Sequence, residues 1–196
     1  MHVTGYFFFP YNNTYNPTND LKDFLDTGKP PVCVSFGSMV NKNADRVDAV
    51  VRDALKQTNN RGIILSGWGS VRHESTSDLL YLESASHDWL LPKCKMLIHH
   101  GGAGTTSAGL RAGIPQIVVP FMADQPFWGN RVYAIGVAPK PIRVSQFSVE
   151  MVVRSIAEAE SKTIAECAHA TSQCIRDEDG VLNAVMLIES YAKHHH

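Results

Sequence analysis

The 196-residue sequence has no run of 18 apolar residues, no CxxC pair and no excess of charge of either sign. Without such an apolar run, no segment is long enough to be expected to span a membrane as a helix. Lys plus Arg is 18 and Asp plus Glu is 19, so the formal net charge is -1. This balance gives no reason to expect nucleic acid or an anionic membrane as a partner. The first ten residues also lack the basic segment and apolar core of a secretory signal.

The cysteines do not have the spacing of a disulfide framework or of a zinc site; they are Cys33, Cys94, Cys167 and Cys174. We expect four reduced thiols, as in a cytosolic protein. The predicted location is therefore cytoplasmic, with any contact to a membrane made by parts of the protein outside this chain.

Short apolar runs alternate with amphipathic stretches along most of the chain. The apolar runs predict buried strands at residues 32–36, 61–69, 93–100 and 114–120. The amphipathic stretches predict helices at about residues 20–26, 43–59, 105–113 and 124–136, and two or three more between 148 and 191. Breaks in this last stretch are expected near Ser161 and at Asp179-Gly180.

This alternation predicts an α/β fold, a parallel sheet flanked by helices on both faces. Ligands of such sheets bind at the carboxyl ends of the strands. Three glycine-bearing loops fall at predicted strand ends, at residues 37–38, 67–70 and 101–104, and the segment PFMADQ ends a fourth strand. We expect the functional site among these loops.

The segment HHGGAGTT, residues 99–106, carries the strongest chemical signal, and its residues alone leave several interpretations open. A metal site is one. It is disfavoured because His99 and His100 are neighbours at a strand end, so their side chains should point to opposite faces. A plain glycine turn between a strand and a helix is another, since such turns are common at this kind of junction.

A nicotinamide-dependent oxidoreductase domain is a further interpretation of the same segment. Gly102 and Gly104 match the first two glycines of a dinucleotide-binding turn, and Asp124 lies twenty residues past the second of them. However, Ser107 stands where the third glycine would be. The motif also falls in mid-chain, after at least two strand–helix units.

A phosphate-binding cradle uses every unusual residue of the segment. The glycines leave backbone N–H groups uncovered, and the N-terminus of the predicted helix adds a partial positive charge. We expect Thr105 and Thr106 to cap that helix and to offer hydroxyl groups. A histidine on the correct face could donate to a phosphate oxygen.

A second polar pair, Asp124 and Gln125, ends an apolar strand between two prolines. A carboxylate accepts two hydrogen bonds and an amide offers both a donor and an acceptor, which suits neighbouring hydroxyl groups of a sugar. The alternative is that Asp124 is simply the N-cap of the following helix. In that helix we expect Phe127 and Trp128 to be core residues.

Taken together, FGSM, GWGS, HDWL, HHGGAGTT, LRAGIPQIVVPF and DQPFWGNRV resemble the C-terminal half of family 1 glycosyltransferases. The likeness is to the sterol glucosyltransferases and the bacterial antibiotic-tailoring glycosyltransferases in particular. It runs from about Gly5 to the last helix and is most specific between Trp89 and Val137. It implies the C-terminal, Rossmann-like half of a GT-B fold, with residues 1–30 as interdomain linker and short helix, 31–192 as donor-binding domain and 193–196 as a tag remnant.

The resemblance also implies donor-binding roles for nine positions. His100 would contact the diphosphate, which Ser38 would face from the first loop. The loop around His87 would border the base, and Asp124 with Gln125 would hold the hexose hydroxyls. The β-phosphate would lie on backbone and hydroxyl groups of Gly102, Ala103, Gly104 and Thr105.

The implied activity is an inverting transfer of a hexose, glucose from UDP-glucose, to a hydroxyl of a sterol or other lipid-like molecule. Uridine is expected over thymidine as the base, with no metal and no cofactor. The catalytic base and the acceptor pocket would belong to an N-terminal domain that this chain lacks, so we expect the chain alone to be inactive. A nucleotide-binding module without catalysis remains the alternative. The cleft face could also mediate self-association.

Three positions depart from, or go beyond, what the resemblance explains. Plant small-molecule members carry an acid where this chain has Ala108, so contact with the ribose must come from elsewhere. Sterol-like members have glycine where this chain has Ala123, which would narrow the sugar pocket by one methyl group. His99 is typical of the sterol-like group, but neither the pattern nor the resemblance assigns it a role.

Overall fold

The computed structural model describes residues 1–8, 15–36, 44–67 and 74–194. Within these ranges five strands form one sheet: β1 (Val32–Ser35), β2 (Gly62–Leu65), β3 (Leu79–Leu82), β4 (Met96–His99) and β5 (Gln116–Val118). The α-helices are α1 (Asn19–Asp26), α2 (Ala44–Gln57), α3 (His87–Leu90), α4 (Ala103–Ala112), α5 (Gln125–Ala134), α6 (Val149–Ala159), α7 (Lys162–Asp177) and α8 (Gly180–His194).

Every strand pairing in the sheet is parallel, and the strand order is β3-β2-β1-β4-β5. The order reverses between β1 and β4, which lie side by side with Ser35 opposite His99. In doubly wound sheets this reversal opens a crevice at the carboxyl ends of the two strands. The predicted α/β fold with a parallel, helix-flanked sheet is therefore confirmed, and it places the β1 and β4 ends together.

The apolar runs become strands because both of their faces are buried. Val32 and Val34 of β1 pack with helices α2 and α6 on one face. Cys33, between them, packs with α1, the end of α3 and β4 on the other face. Helices α5 and α7 add a third apolar cluster around Val118 of β5 and Val132 of α5. Alternation of side chains along a strand thus supplies two separate cores.

Helix α4 starts two residues earlier than predicted and ends where predicted. The helix ends at its C-cap residue, Gly113, which adopts a left-handed conformation (φ 76°). The N–H of Gly113 donates to the carbonyls of Gly109 and Leu110. Its N-cap is Gly102. The prediction that Thr105 and Thr106 cap the helix is therefore wrong, because both lie inside its first turn.

The sequence pattern missed strand β3 and helix α3. Strand β3, with the sequence LLYL, is as short and as apolar as the other strands, but it lies at the edge of the sheet, where Leu80 alone is buried. Helix α3 is a single turn. The helices predicted in the C-terminal stretch are confirmed as α6, α7 and α8, with breaks at Ser161 and before Gly180.

The N-terminal residues pack against the last two helices. Asn183 Nδ2 donates to the Thr4 carbonyl, and Gly180 lies so close to the Tyr6 carbonyl that a Cβ would overlap it. Helix α1 buries Leu21 and Phe24 in the core. The domain boundary at residue 30 stays a prediction. Among the helices in the described ranges, none combines the length and the apolarity needed to cross a membrane.

Candidate functional site

The candidate site lies at the carboxyl ends of β1 and β4, where the strand order reverses. The chain leaves β4 at His99, makes a tight loop through His100, Gly101 and Gly102, and enters α4 at Ala103. The loop after β1 starts from the same edge, but Ser38 lies outside the described residues, and its predicted role stays a prediction.

At two glycines of the loop, an added Cβ would meet a close neighbour within the protein. Gly101 has a φ of +89°, and a Cβ there would lie 2.7 Å from Val118 Cγ1 and 3.0 Å from the Gln125 carbonyl oxygen. A Cβ on Gly102 would lie 2.5 Å from His100 Nε2. The bare backbone at Gly102 therefore lets the His100 ring lie directly against the start of the helix.

At Gly104, by contrast, no neighbouring atom of the protein explains why the residue is glycine. It lies in the first turn of α4, is exposed, and a Cβ there would meet no atom within 4 Å. Glycine inside a helix costs about 0.5–1 kcal/mol relative to alanine. The packing of the protein therefore does not explain why glycine stands at this position.

The first turn of α4 presents its backbone N–H groups at the same place. The N-cap residue, Gly102, has no side chain to cap the helix, and within the described ranges the first helical N–H with a main-chain acceptor is that of Thr106. Uncapped N–H groups and the helix dipole together favour an anion. We call Gly102, Ala103, Gly104 and Thr105 the α4 cradle.

His100 flanks the α4 cradle as a half-buried side chain. Burial lowers its pKa, while the Ser35 main chain and the Asp124 carboxylate act in the opposite direction. The ring is therefore mainly neutral at pH 7, with one nitrogen able to donate a hydrogen bond. The charge effect of Asp124 also shows that the fold brings this residue near His100, although they are 24 positions apart.

His87 belongs to the same neighbourhood. It is the first residue of α3, and burial lowers its pKa, with Asp88 opposing the shift and His100 adding to it. The structure thus brings His87 near His100, as the predicted position beside the site requires. In the part of the chain that the structure describes, no group of three or more His, Cys, Asp or Glu side chains is arranged to hold a metal ion.

Asp124 and Gln125 lie together but differ in environment. Asp124 is exposed, and its Oδ2 accepts a hydrogen bond of 2.8 Å from Trp128 Nε1. Asp124 is the N-cap residue of α5, as the alternative interpretation predicted, although its side chain makes no capping hydrogen bond. Gln125 is only 5% exposed, and its Oε1 accepts the N–H groups of Phe121 and Met122. Gln125 therefore holds the turn that presents the Asp124 carboxylate.

One residue of this turn is strained. Ala123 has a φ of +54°, the left-handed region that glycine adopts without cost. Ala123→Gly is expected to raise the free energy of unfolding by about 1 kcal/mol, measured by urea denaturation, because the strain is relieved. The matched control is Ala170→Gly at an exposed position of α7, where loss of helix propensity should lower stability by a similar amount. Equal losses in both variants would contradict a strained Ala123.

Phe127 and Trp128 were both predicted to be core residues, but the two side chains differ in burial. Phe127 is 58% exposed, so the prediction is wrong for this residue. Trp128 is partly buried between the Asp124 carboxylate and the ring of Tyr6, 6.3 Å away between centroids. The helical spacing did not show which side of α5 faces the sheet.

Sequence reasoning assigned no role to His99, which the structure places directly beneath the site. It is completely buried, and its Nδ1 accepts the N–H of Gly101 at 3.1 Å. Gln116, on the neighbouring strand, faces the same ring. The only signal for this pair in the sequence is the presence of one polar residue inside each of two apolar strands.

Residues 85–180 match the family model described as erythromycin biosynthesis protein CIII-like, C-terminal domain. The chain is 39% identical to a sterol 3-beta-glucosyltransferase of Arabidopsis thaliana, over 98% of this chain and 30% of the relative. It is 34% identical to the O-mycaminosyltylonolide 6-deoxyallosyltransferase of Streptomyces fradiae, over 98% of this chain and 45% of the relative. The solved glycotransferase of kitacinnamycin superposes with a TM-score of 0.76 at 18% identity, over 95% of this chain and 47% of that one.

The fold is therefore that of the C-terminal, Rossmann-like half of GT-B glycosyltransferases. More particularly, over residues 85–180 the chain is similar to the C-terminal domain of erythromycin biosynthesis protein CIII-like proteins. The resemblance predicted from the sequence is confirmed. The chain spans less than half the length of these curated relatives.

Proposed function

We propose that this chain is the donor-binding domain of an inverting glycosyltransferase that uses UDP-glucose. The observation that carries the proposal is the α4 cradle: an uncapped helix N-terminus, beside His100, with an exposed glycine whose missing side chain serves no packing purpose. Such a surface binds a phosphate group through backbone N–H groups. A neutral His100 adds one N–H donor without requiring a metal.

In this proposal the diphosphate lies on the α4 cradle, and the sugar lies towards Asp124. The exposed Asp124 carboxylate can accept hydrogen bonds from sugar hydroxyls, while Gln125 keeps the turn in place. His87 lies near His100, which supports a position for it beside the nucleoside.

The reaction forms a bond between an acceptor hydroxyl oxygen and C1 of the hexose, while the bond from C1 to the diphosphate breaks. The hydroxyl proton passes to a base that we assign to an N-terminal domain. Negative charge develops on the leaving diphosphate, and the N–H groups of the α4 cradle together with His100 stabilise it. The acceptor proposed is a sterol or other lipid-like alcohol, as the name of the plant relative suggests.

The first test is calorimetric titration of the chain with UDP and UDP-glucose. His100→Ala is expected to weaken both ligands at least tenfold, because it removes a donor to the diphosphate. Asp124→Asn, which retains an acceptor for Trp128, is expected to weaken only UDP-glucose. Two exposed residues away from the site supply matched controls: His169→Ala on α7 and Asp53→Asn on α2 should leave both affinities unchanged.

The alternatives give different results in the same titration. Thymidine diphosphate binding tighter than UDP would overturn the choice of base. Binding of NAD in competition with UDP would favour the oxidoreductase interpretation of the glycine segment. UDP affinity that is equal in wild type and His100→Ala would remove His100 from the site. Transfer of glucose to a sterol is then tested with a protein that includes the N-terminal domain.

A further inference from the structure

His99 is the last residue of β4, and its main chain is fully part of the sheet. It lies between Ser35 of β1 and Val118 of β5, and its carbonyl accepts the N–H of Val119 at 2.9 Å. Its side chain is 0% exposed. A completely buried imidazole cannot touch a donor on the surface, so its contribution to the site must act through another group.

That group is Gly101. The N–H of Gly101 donates to His99 Nδ1 at 3.1 Å, a bond that closes the loop two residues after the strand. Gly101 takes a positive φ of +89° there and lies against Val118 and the Gln125 main chain. The bond thus ties the loop to the rigid sheet at the point where the chain turns towards α4.

The side chain of Gln116 lies near the ring of His99 and contacts helix α4. Since Nδ1 accepts, the ring proton resides on Nε2, and the Gln116 side chain lies close to the ring without a hydrogen bond to Nε2. Gln116 Nε2 in turn donates to the Thr106 carbonyl in the first turn of α4 at 3.3 Å. His99 therefore lies between the loop on one side and, through Gln116, the first turn of α4 on the other.

We propose that His99 positions the α4 cradle and His100 by accepting the Gly101 N–H at its Nδ1, and that it makes no contact with the donor. This inference rests on the proposed function of the α4 cradle. Movement of Gly101 would displace Gly102, against which His100 Nε2 lies. Burial lowers the pKa of His99 to about 3, so Nδ1 stays an acceptor at every physiological pH.

Two substitutions separate this role from simple packing. In His99→Asn, Oδ1 stands at the same number of bonds from Cα as Nδ1 and can accept the Gly101 N–H. In His99→Gln, the amide instead reaches the level of Nε2 and leaves that N–H without its acceptor. We expect His99→Gln to lower the affinity for UDP at least tenfold and His99→Asn to retain it within about threefold, because only the asparagine keeps the bond.

Hydrogen exchange of the Gly101 amide is the direct readout of the bond. It should be protected in wild type and in His99→Asn, and it should exchange rapidly in His99→Gln. Ile98→Val, a truncation in the same buried strand, is the control for a general loss of stability, and it should leave both UDP affinity and Gly101 protection unchanged. If neither His99 variant folds, the wild-type protein still reports the bond through the ¹⁵N shift of an unprotonated, hydrogen-bonded Nδ1.

The outcomes distinguish this inference from the proposed function. If UDP binds wild type and the two His99 variants equally, or if it binds both variants equally weakly, His99 does not act through Gly101. The same holds if Gly101 is unprotected or Nδ1 carries a proton in the wild type. If Gly101 is protected in the wild type but UDP does not bind, the proposed function fails, and His99 orders a loop that is not a diphosphate site.

Discussion

Gly101→Ala is expected to lower the free energy of unfolding by about 3 kcal/mol, while Gly104→Ala raises it by about 0.5–1 kcal/mol. Gly101 has a positive φ, and its new Cβ would overlap Val118 and approach the Gln125 carbonyl. Gly104 is helical and its new Cβ meets open space, so alanine improves helix propensity without a clash. Urea denaturation of both variants measures the difference.

Gly104→Ala should nevertheless weaken the binding of UDP, because the added methyl group occupies the space above the α4 cradle. Opposite signs for stability and for affinity in one variant are the specific expectation. Ala165→Gly, an exposed helical position on α7, is the control that changes propensity without touching the site. A Gly104→Ala variant that binds UDP as tightly as wild type would show that Gly104 is not part of the donor site.

Acidification from about pH 6.5 to pH 4.5 is expected to cost the folded state about 2–3 kcal/mol through His99 alone. Burial lowers the pKa of this histidine to about 3, far below the value of about 6.5 in an unfolded chain. Above pH 6.5 the ring is neutral in both states and the penalty is absent. Below about pH 6.5 the His99 imidazole is protonated in the unfolded chain but stays neutral in the folded protein. The free energy of unfolding therefore falls by about 1.4 kcal/mol for each pH unit.

The measurement compares urea unfolding of wild type and His99→Asn at pH 7, 5.5 and 4.5. Asparagine does not titrate. On acidification the free energy of unfolding of His99→Asn should therefore fall less than that of the wild type, and the difference should be nearly the whole contribution of His99. The groups that face His99 are His100, His87 and Gln116, and the carboxylates are the same in both proteins. Parallel pH profiles would mean that His99 is protonated in the folded protein or exposed to solvent.

Much of the fold follows from patterns that act locally. The apolar runs, the helical spacing of Val47, Val51 and Leu55, and the glycine after α4 are short-range signals, and the structure confirms the strands and helices predicted from them. Because carboxyl ends of parallel strands share one edge, the sequence also predicted which loops lie together. The segment HHGGAGTT and the pair Asp124 and Gln125 are near each other for this reason.

These local sequence patterns did not predict contacts between segments that are far apart in the sequence. Strand β3 forms because β2 offers it a free edge, and Phe127 is exposed because of how α5 packs. The sequence by itself determined the parallel α/β fold and the glycine-rich segment at a strand end, since both depend on spacing within a few residues. Only the tertiary structure decided that His99 is buried beneath Gly101 and beside Gln116, because a hydrogen-bond acceptor and the strand that covers it must first be folded together.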